Sequence, residues 1–222
     1  MHSRTFVISD VHGCAATLRR LVDATLRPTA SDRMFLLGDL IDRGPDSKGV
    51  LDFIFELRGR GLSVEGVRGN HEEMLLRAQD DHYFMDLWTA NGGLATLESF
   101  RADGPGDIPH RYRAFLESLP LYILLDAFVI VHAGLNFDLM DPFADTQAML
   151  WTRSNVVDLK RTAGRKLVCG HTPVTLQQLE NSLSSNKILL DNGCVFTDRY
   201  GMGCLAALEL EGMNVYLQPN ID

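Results

Sequence analysis

The sequence predicts an α/β fold, and three observations carry that prediction. Short apolar runs alternate with amphipathic stretches in the order strand, helix, strand, helix, strand from the start of the chain. Each apolar run stops at a polar cluster, most of them glycine-containing, the pattern of strands whose carboxyl ends open into ligand-binding loops. A length of 222 residues, 45% apolar and 23% charged, suits one sizeable domain, so 1–222 is expected to form a single unit.

Taken in order, Thr5 to Ser9 (TFVIS) reads as a buried strand ending at Asp10. Ala15 to Leu26 places Leu18, Leu21, Val22 and Leu26 at helical spacing, and Pro28 closes it. Met34 to Leu37 is a second strand entering Gly38-Asp39. Ser47 to Leu57 is an amphipathic helix with Val50, Leu51, Ile54 and Leu57 on one face. Leu62 to Val67 is a third strand running into Arg68-Gly69-Asn70. The middle, Glu72 to about Leu119, is mostly helical, and from Met74 to Leu119 is expected to be an insertion covering one edge of the site. Strands resume at Leu121 to Leu125, Phe128 to Val131 (ending in His132) and Lys166 to Cys169 (ending at Gly170-His171). Lys187 to Leu190, Leu205 to Leu210 and Asn214 to Leu217 complete a β-rich tail, with Glu211-Gly212 a hairpin turn.

A formal charge of −8 argues against a nucleic-acid binder, which needs a basic face to displace counterions. It leaves anionic substrates open, because bound cations and a few arginines invert the local field. No apolar run approaches the roughly 20 residues that cross a bilayer, and no membrane association is expected. Cys14, Cys169, Cys194 and Cys204 lie far apart with no CxxC pair, and the start leaves no room for a signal peptide. Both features point to the cytoplasm.

The informative clusters are Asp10-Val11-His12-Gly13, Gly38-Asp39, Gly69-Asn70-His71-Glu72, His132-Ala133-Gly134 and Gly170-His171-Thr172. Each follows a short apolar strand. Singly they are weak: an Asp-x-His is usually a capped turn, and a lone histidine a satisfied core residue. Their occurrence in order at strand ends supplies oxygen and imidazole donors suited to divalent Mn, Fe or Zn.

The order DVHG, GDLIDRG, RGNHE, HAGL and GHT resembles the phosphoprotein phosphatase branch of the calcineurin-like metallophosphoesterases, and among these the bacterial and phage lambda-type serine/threonine protein phosphatases. The likeness runs from Ile8 to about Leu210. It implies a calcineurin-like α-β-β-α sandwich. It implies Asp10 and His12 as ligands of a first metal, Asp39 as the bridging carboxylate, and Asn70, His132 and His171 as ligands of a second. His171 is followed by Thr172-Pro173, so the extra histidine of many related phosphodiesterases is absent. No tyrosine in Gly38 to Asp42 offers the ligand of purple acid phosphatases.

The reaction so implied is in-line hydrolysis of a phosphate ester by a hydroxide bridging two divalent ions, manganese first and iron or zinc as alternatives. By the same resemblance His71 is the general acid and Asp42 its carboxylate partner; alone, Asp42 reads equally as a cap for the helix near Pro45-Asp46. Arg43 is the phosphate clamp, its guanidinium fork matching two phosphoryl oxygens. Arg153, in Leu150-Trp151-Thr152-Arg153, is the candidate second clamp, with a surface ion pair as its ordinary alternative. Arg68 is expected to be structural, His2, His82 and His110 solvated, and the Trp88 ring packed in the core near Asn91-Gly92-Gly93. The expected substrate is a phosphoprotein or small phosphorylated molecule. A dinucleoside polyphosphate such as diadenosine tetraphosphate is the alternative, although hydrolases of that compound commonly lack the aspartate found here as Asp42. A non-catalytic metal-binding module is a remote third reading.

Overall fold

The computed structural model describes residues 3–222; His2 lies outside them. Two sheets pack face to face. The first has the order β3-β2-β1-β8-β9, built from β1 (Thr5–Ile8), β2 (Arg33–Leu36), β3 (Ser63–Gly66), β8 (Cys204–Glu209) and β9 (Asn214–Pro219). The second has the order β4-β5-β6-β7, from β4 (Tyr122–Leu124), β5 (Phe128–Val131), β6 (Lys166–Cys169) and β7 (Lys187–Leu189). β1, β2 and β3 run parallel, as do β5, β6 and β7, while β8, β9 and β4 join antiparallel.

The two-residue strand period explains the layers. Val7, Phe35, Ala206 and Leu208 on one face of the first sheet meet Ile130, Val168 and Ile188 of the second in one buried cluster. Phe6, Ile8, Met34, Leu36, Leu205 and Ala207 point the other way, into helices. These are α1 (Ala15–Arg20), α2 (Ser47–Gly59), α3 (Asn70–Arg77), α4 (His82–Trp88), α5 (Leu94–Phe100) and α6 (His110–Ser118). On the far side of the second sheet, Val129, Val131, Leu167 and Cys169 pack against Leu135 and against Met149 of α7 (Thr146–Trp151). A last helix, α8 (Leu176–Ser182), buries Leu179 in the inter-sheet cluster.

Several expectations shift in detail. The single helix expected over Ala15 to Leu26 is α-helical only to Arg20; a wider turn spans Leu21–Leu26 and ends at left-handed Arg27. The two sheets are those of the α-β-β-α sandwich that the family resemblance implies. In the 74–119 segment, Met74, Leu75, Trp88, Leu97, Tyr112 and Phe115 share the cluster of Phe6 and Ile8. The β8–β9 hairpin pairs Glu209 with Asn214, its turn closing through left-handed Met213.

Candidate metal centre

The carboxyl ends of β1, β2 and β3 meet those of β5 and β6 along one edge of the sandwich. His132 Nδ1 donates to the Leu37 carbonyl at 2.8 Å, and the His171 amide donates to Asp10 Oδ2 at 2.8 Å, so each contact crosses between sheets. Gly170 permits the second contact, since a Cβ there would stand 1.9 Å from Asp10 Oδ1.

Asp39 is the hub. Its Oδ1 lies 3.4 Å from His132 Nε2, and its Oδ2 lies 3.6 Å from His12 Nε2 and 3.9 Å from His71 Nε2. One carboxylate thus faces two groups of donors, His12 and His71 on one side, His132 and His171 on the other. Asn70 opens α3, and its Oδ1 stands 2.9 Å from His132 Nε2 and 3.0 Å from His171 Nδ1, the two ring nitrogens being 3.2 Å apart.

The donor set fits a cation. Nδ1 of His132 is committed to a backbone carbonyl, and so is that of His12, 3.0 Å from the Ile41 carbonyl. Each Nε2 therefore presents a bare lone pair. That of His132 faces the Asn70 oxygen, two acceptors with no proton between them. Asp10 Oδ1 is buried without a hydrogen-bond partner. Such convergence of acceptors is favourable only around positive charge.

The electrostatics agree. Burial opposes ionisation of Asp39, yet the imidazoles of His132, His71, His12 and His171 hold it well below the ordinary carboxylate range. Burial, with Asp191 and Asp39 nearby, raises Asp10. Burial also keeps His12, His132 and His171 neutral, the last pushed down to about 3, which is the ligating form. His71 differs. Burial works against its charge, but Asp39 and a 2.7 Å hydrogen bond from Nδ1 to Asp42 Oδ2 raise it. Its Nε2 is buried without a partner.

Among the other expected residues, Arg43 is exposed at the mouth, with Nη1 2.6 Å from His12 Nε2. Arg153 is exposed and lowers the affinity of His171 for protons; among the described residues it has no carboxylate at ion-pair distance. Arg68 pairs with Glu73 at 3.0 Å. His82 and His110 are exposed. The cap of α2 is Asp46, whose Oδ1 accepts from the Gly49 amide at 2.8 Å, so Asp42 is free of that duty. Trp88 is buried as expected, but its Nε1 also donates to both Asp42 oxygens, at 2.8 and 3.0 Å.

Two carboxylates escaped the sequence reading. Glu72 accepts from the amides of Asp39, Leu40 and Gly69 at 2.7–2.8 Å and braces the loop after β2. Burial lifts it to about 7. Asp191, past the end of β7, is likewise raised to about 7 by burial. The apolar run into Asp191-Asn192-Gly193 repeats the strand-end pattern of the other clusters and could have revealed it.

A family model described as calcineurin-like phosphoesterase matches residues 3–201. A serine/threonine-protein phosphatase 1 of Salmonella typhimurium is 42% identical over 201 residues, 86% of this chain and 87% of that one. An asymmetrical bis(5'-nucleosyl)-tetraphosphatase PrpE of Oceanobacillus iheyensis is 26% identical, covering 87% and 85%. Among solved structures, a putative diadenosine tetraphosphatase superposes at TM-score 0.66 with 21% identity over 99% of this chain and 95% of that one, a likeness of fold. With its histidine and aspartate groups gathered as that family requires, the chain belongs to the calcineurin-like phosphoesterases and is a metallophosphoesterase of the phosphoprotein phosphatase branch.

Proposed function

We propose that the protein is a serine/threonine protein phosphatase, a phosphomonoesterase acting in the cytoplasm as one domain over 1–222 with two divalent ions, manganese first and iron or zinc as alternatives. Asp10 and His12 would hold one ion, Asn70, His132 and His171 the other, and Asp39 both. The observation that carries the reading is the placement of Asp39, one oxygen toward each donor group. Two ions at such a site neutralise phosphoryl oxygens and acidify a water molecule.

The chain's own residues supply the rest. Arg43, at the mouth, presents parallel N–H donors to the phosphoryl group, and Arg153 adds positive charge beside His171. His71, whose affinity for a proton is raised by Asp39 and Asp42 against the effect of burial, aims an unpartnered Nε2 into the site and donates its proton to the leaving oxygen. That proton discriminates between substrates. A seryl or threonyl alkoxide is a poor leaving group and needs it, whereas a nucleotide leaves as a stable phosphate anion. A buried Asp42–His71 pair therefore favours the phosphomonoester. The four cysteines, all free thiols, support a reducing compartment.

Dinucleoside polyphosphate hydrolysis is the second reading. It draws on the PrpE relative and on a cavity of about 500 Å³ lined by Arg77, Tyr83, Phe84 and Trp151, aromatic faces that suit a base. Trp151 meets the His171 ring edge-on at 6.2 Å, which sets this cavity beside the centre. Purified protein with manganese is to be assayed against a phosphothreonine peptide and diadenosine tetraphosphate. A higher kcat/KM on the peptide is expected; a large preference for the dinucleotide would overturn the first reading.

A further inference from the structure

The helical segment between α3 and α6 carried no interpretable chemistry in the sequence, yet it makes the closest contacts to the proposed acid pair. Trp88, the last residue of α4, gives its Nε1–H to Asp42 Oδ2 at 2.8 Å and Oδ1 at 3.0 Å. Thr96, in the first turn of α5, gives its hydroxyl to Asp42 Oδ1 at 2.6 Å. The Asp42 amide in turn donates to Thr96 Oγ1 and Ser47 Oγ, both at 3.0 Å. Asp42, Trp88, Thr96 and Ser47 are all wholly buried. The next residue is tied in too, since the Arg43 amide donates to the Gly92 carbonyl at 3.2 Å.

The local geometry explains why a clamp is needed. Asp42 and Arg43 sit consecutively at φ 72° and 68°, a left-handed stretch that non-glycine residues adopt only where surrounding contacts over-determine it. The turn over Thr89–Gly93 brings α4 and α5 round so that Trp88 and Thr96 face one carboxylate. Gly93 is required there, because a Cβ would stand 2.5 Å from the Trp88 ring.

We infer that Trp88 and Thr96 are positioning residues for catalysis: they fix the Asp42 carboxylate so that it orients His71 Nε2 toward the leaving group. Neither touches substrate. The inference rests on the reading of His71 as the general acid, and goes beyond it by assigning the helical segment to the proton-donating half of the site. An indole N–H serves because it donates without accepting, leaving Asp42 able to take its remaining hydrogen bond only from His71 Nδ1, at 2.7 Å.

The test compares phenyl phosphate, with a poor leaving group, and 4-nitrophenyl phosphate, with a good one, on manganese-loaded protein. Trp88→Phe keeps a buried ring and removes the N–H; Thr96→Val removes the hydroxyl and Thr96→Ser restores it. Loss of one hydrogen bond to a charged acceptor should lower kcat on phenyl phosphate roughly 10- to 100-fold. The loss on 4-nitrophenyl phosphate should be several-fold smaller, with KM and bound manganese little changed. Thr96→Ser should recover most of the activity, and Trp88→Phe should add little in an Asp42→Asn background. Equal losses on both esters, additive losses with Asp42→Asn, or a fold that collapses in both Trp88→Phe and Thr96→Val would make the role structural and overturn the inference. His71→Asn is measured alongside. If it too shows no leaving-group dependence, the acid reading is what fails; if it alone shows it, the clamp falls by itself.

Discussion

At the scale of single residues, chemistry is concentrated where the backbone is strained. Among the described residues, nine that are not glycine have positive φ, and His12, Asp39, Asp42, Arg43 and His171 belong to this group. Each turns the chain sharply at or near a strand's end and delivers a side chain to a common point. Asp39 faces both donor groups, so on the proposed assignment Asp39→Asn should weaken both ion sites at once. Manganese content by elemental analysis and phosphatase activity are expected to fall together; retention of two equivalents of metal would contradict the bridging role. His71 should behave differently, since its Nδ1 is taken by Asp42 and its charge is favoured. His71→Asn should keep its metal and lose activity roughly 10²–10⁴-fold on a poor leaving group, and least on an activated one. Equal losses on both would remove the acid assignment. The strand-end clusters were legible because an apolar run ending in Asp, Asn or His beside glycine is a visible event in a sequence, whereas the roles expected of His71 and Asp42 came from the family resemblance. Glu72 was harder to see: its role is to accept three backbone amides, and nothing in composition or spacing marks a buried carboxylate that serves the main chain.

At the scale of elements, strands and long helices were readable and short or paired ones were not. α2, with 13 residues and an apolar face of Val50, Leu51, Ile54 and Leu57, repeats the helical period often enough to stand out. α7 and α8 have 6 and 7 residues, too few for periodicity to register. Only their caps could have announced them: Asp145 accepts from the Ala148 amide, and Thr175 with Gln178 forms a reciprocal capping box. The division into two sheets came from the family resemblance and not from periodicity, because a strand buried on both faces looks the same in either sheet. Caps also separate Asp42 from Asp46 within the GDLIDRGPD stretch. Asp46 is exposed and caps α2, whereas Asp42 is buried against Trp88, Thr96 and His71. Asp46→Ala should therefore cost about 1 kcal/mol in denaturant unfolding, the usual worth of an N-cap, while changing turnover by no more than a few-fold. A collapse of activity in Asp46→Ala with stability unchanged would mean that the two roles are reversed.

At the scale of the whole molecule, folding gathers more buried acid than its own cations can neutralise, and the stability of the metal-free protein should record this. Glu72 and Asp191 are raised to about 7 by burial, well above the ordinary carboxylate pKa of roughly 4 they recover on unfolding. A raised folded pKa gives stability that is present at low pH and is lost as pH climbs through the folded value. His12, His132 and His171 have the opposite sign: burial lowers them, so their contribution is complete above the unfolded histidine pKa, roughly 6.5, and is lost below it. Below that pH the two sets oppose one another. Above it these three are neutral in both states, and the groups that still change are the raised carboxylates of Asp10, Glu72 and Asp191 and the raised His71, all of which shift stability the same way. The melting temperature of chelator-treated protein should accordingly fall between about pH 6.5 and pH 8, as these buried groups lose their protons with no metal ion to offset the charge. Manganese should reverse the trend, because ligands must be deprotonated to bind it and binding to the folded state alone raises stability by mass action. The rise in melting temperature on adding manganese is thus expected to be larger at pH 8 than at pH 6.5. Melting curves for both forms across this range test it. A metal-free protein that grows steadily more stable toward pH 8 would show that Glu72 and Asp191 are not held in the environment the fold assigns them.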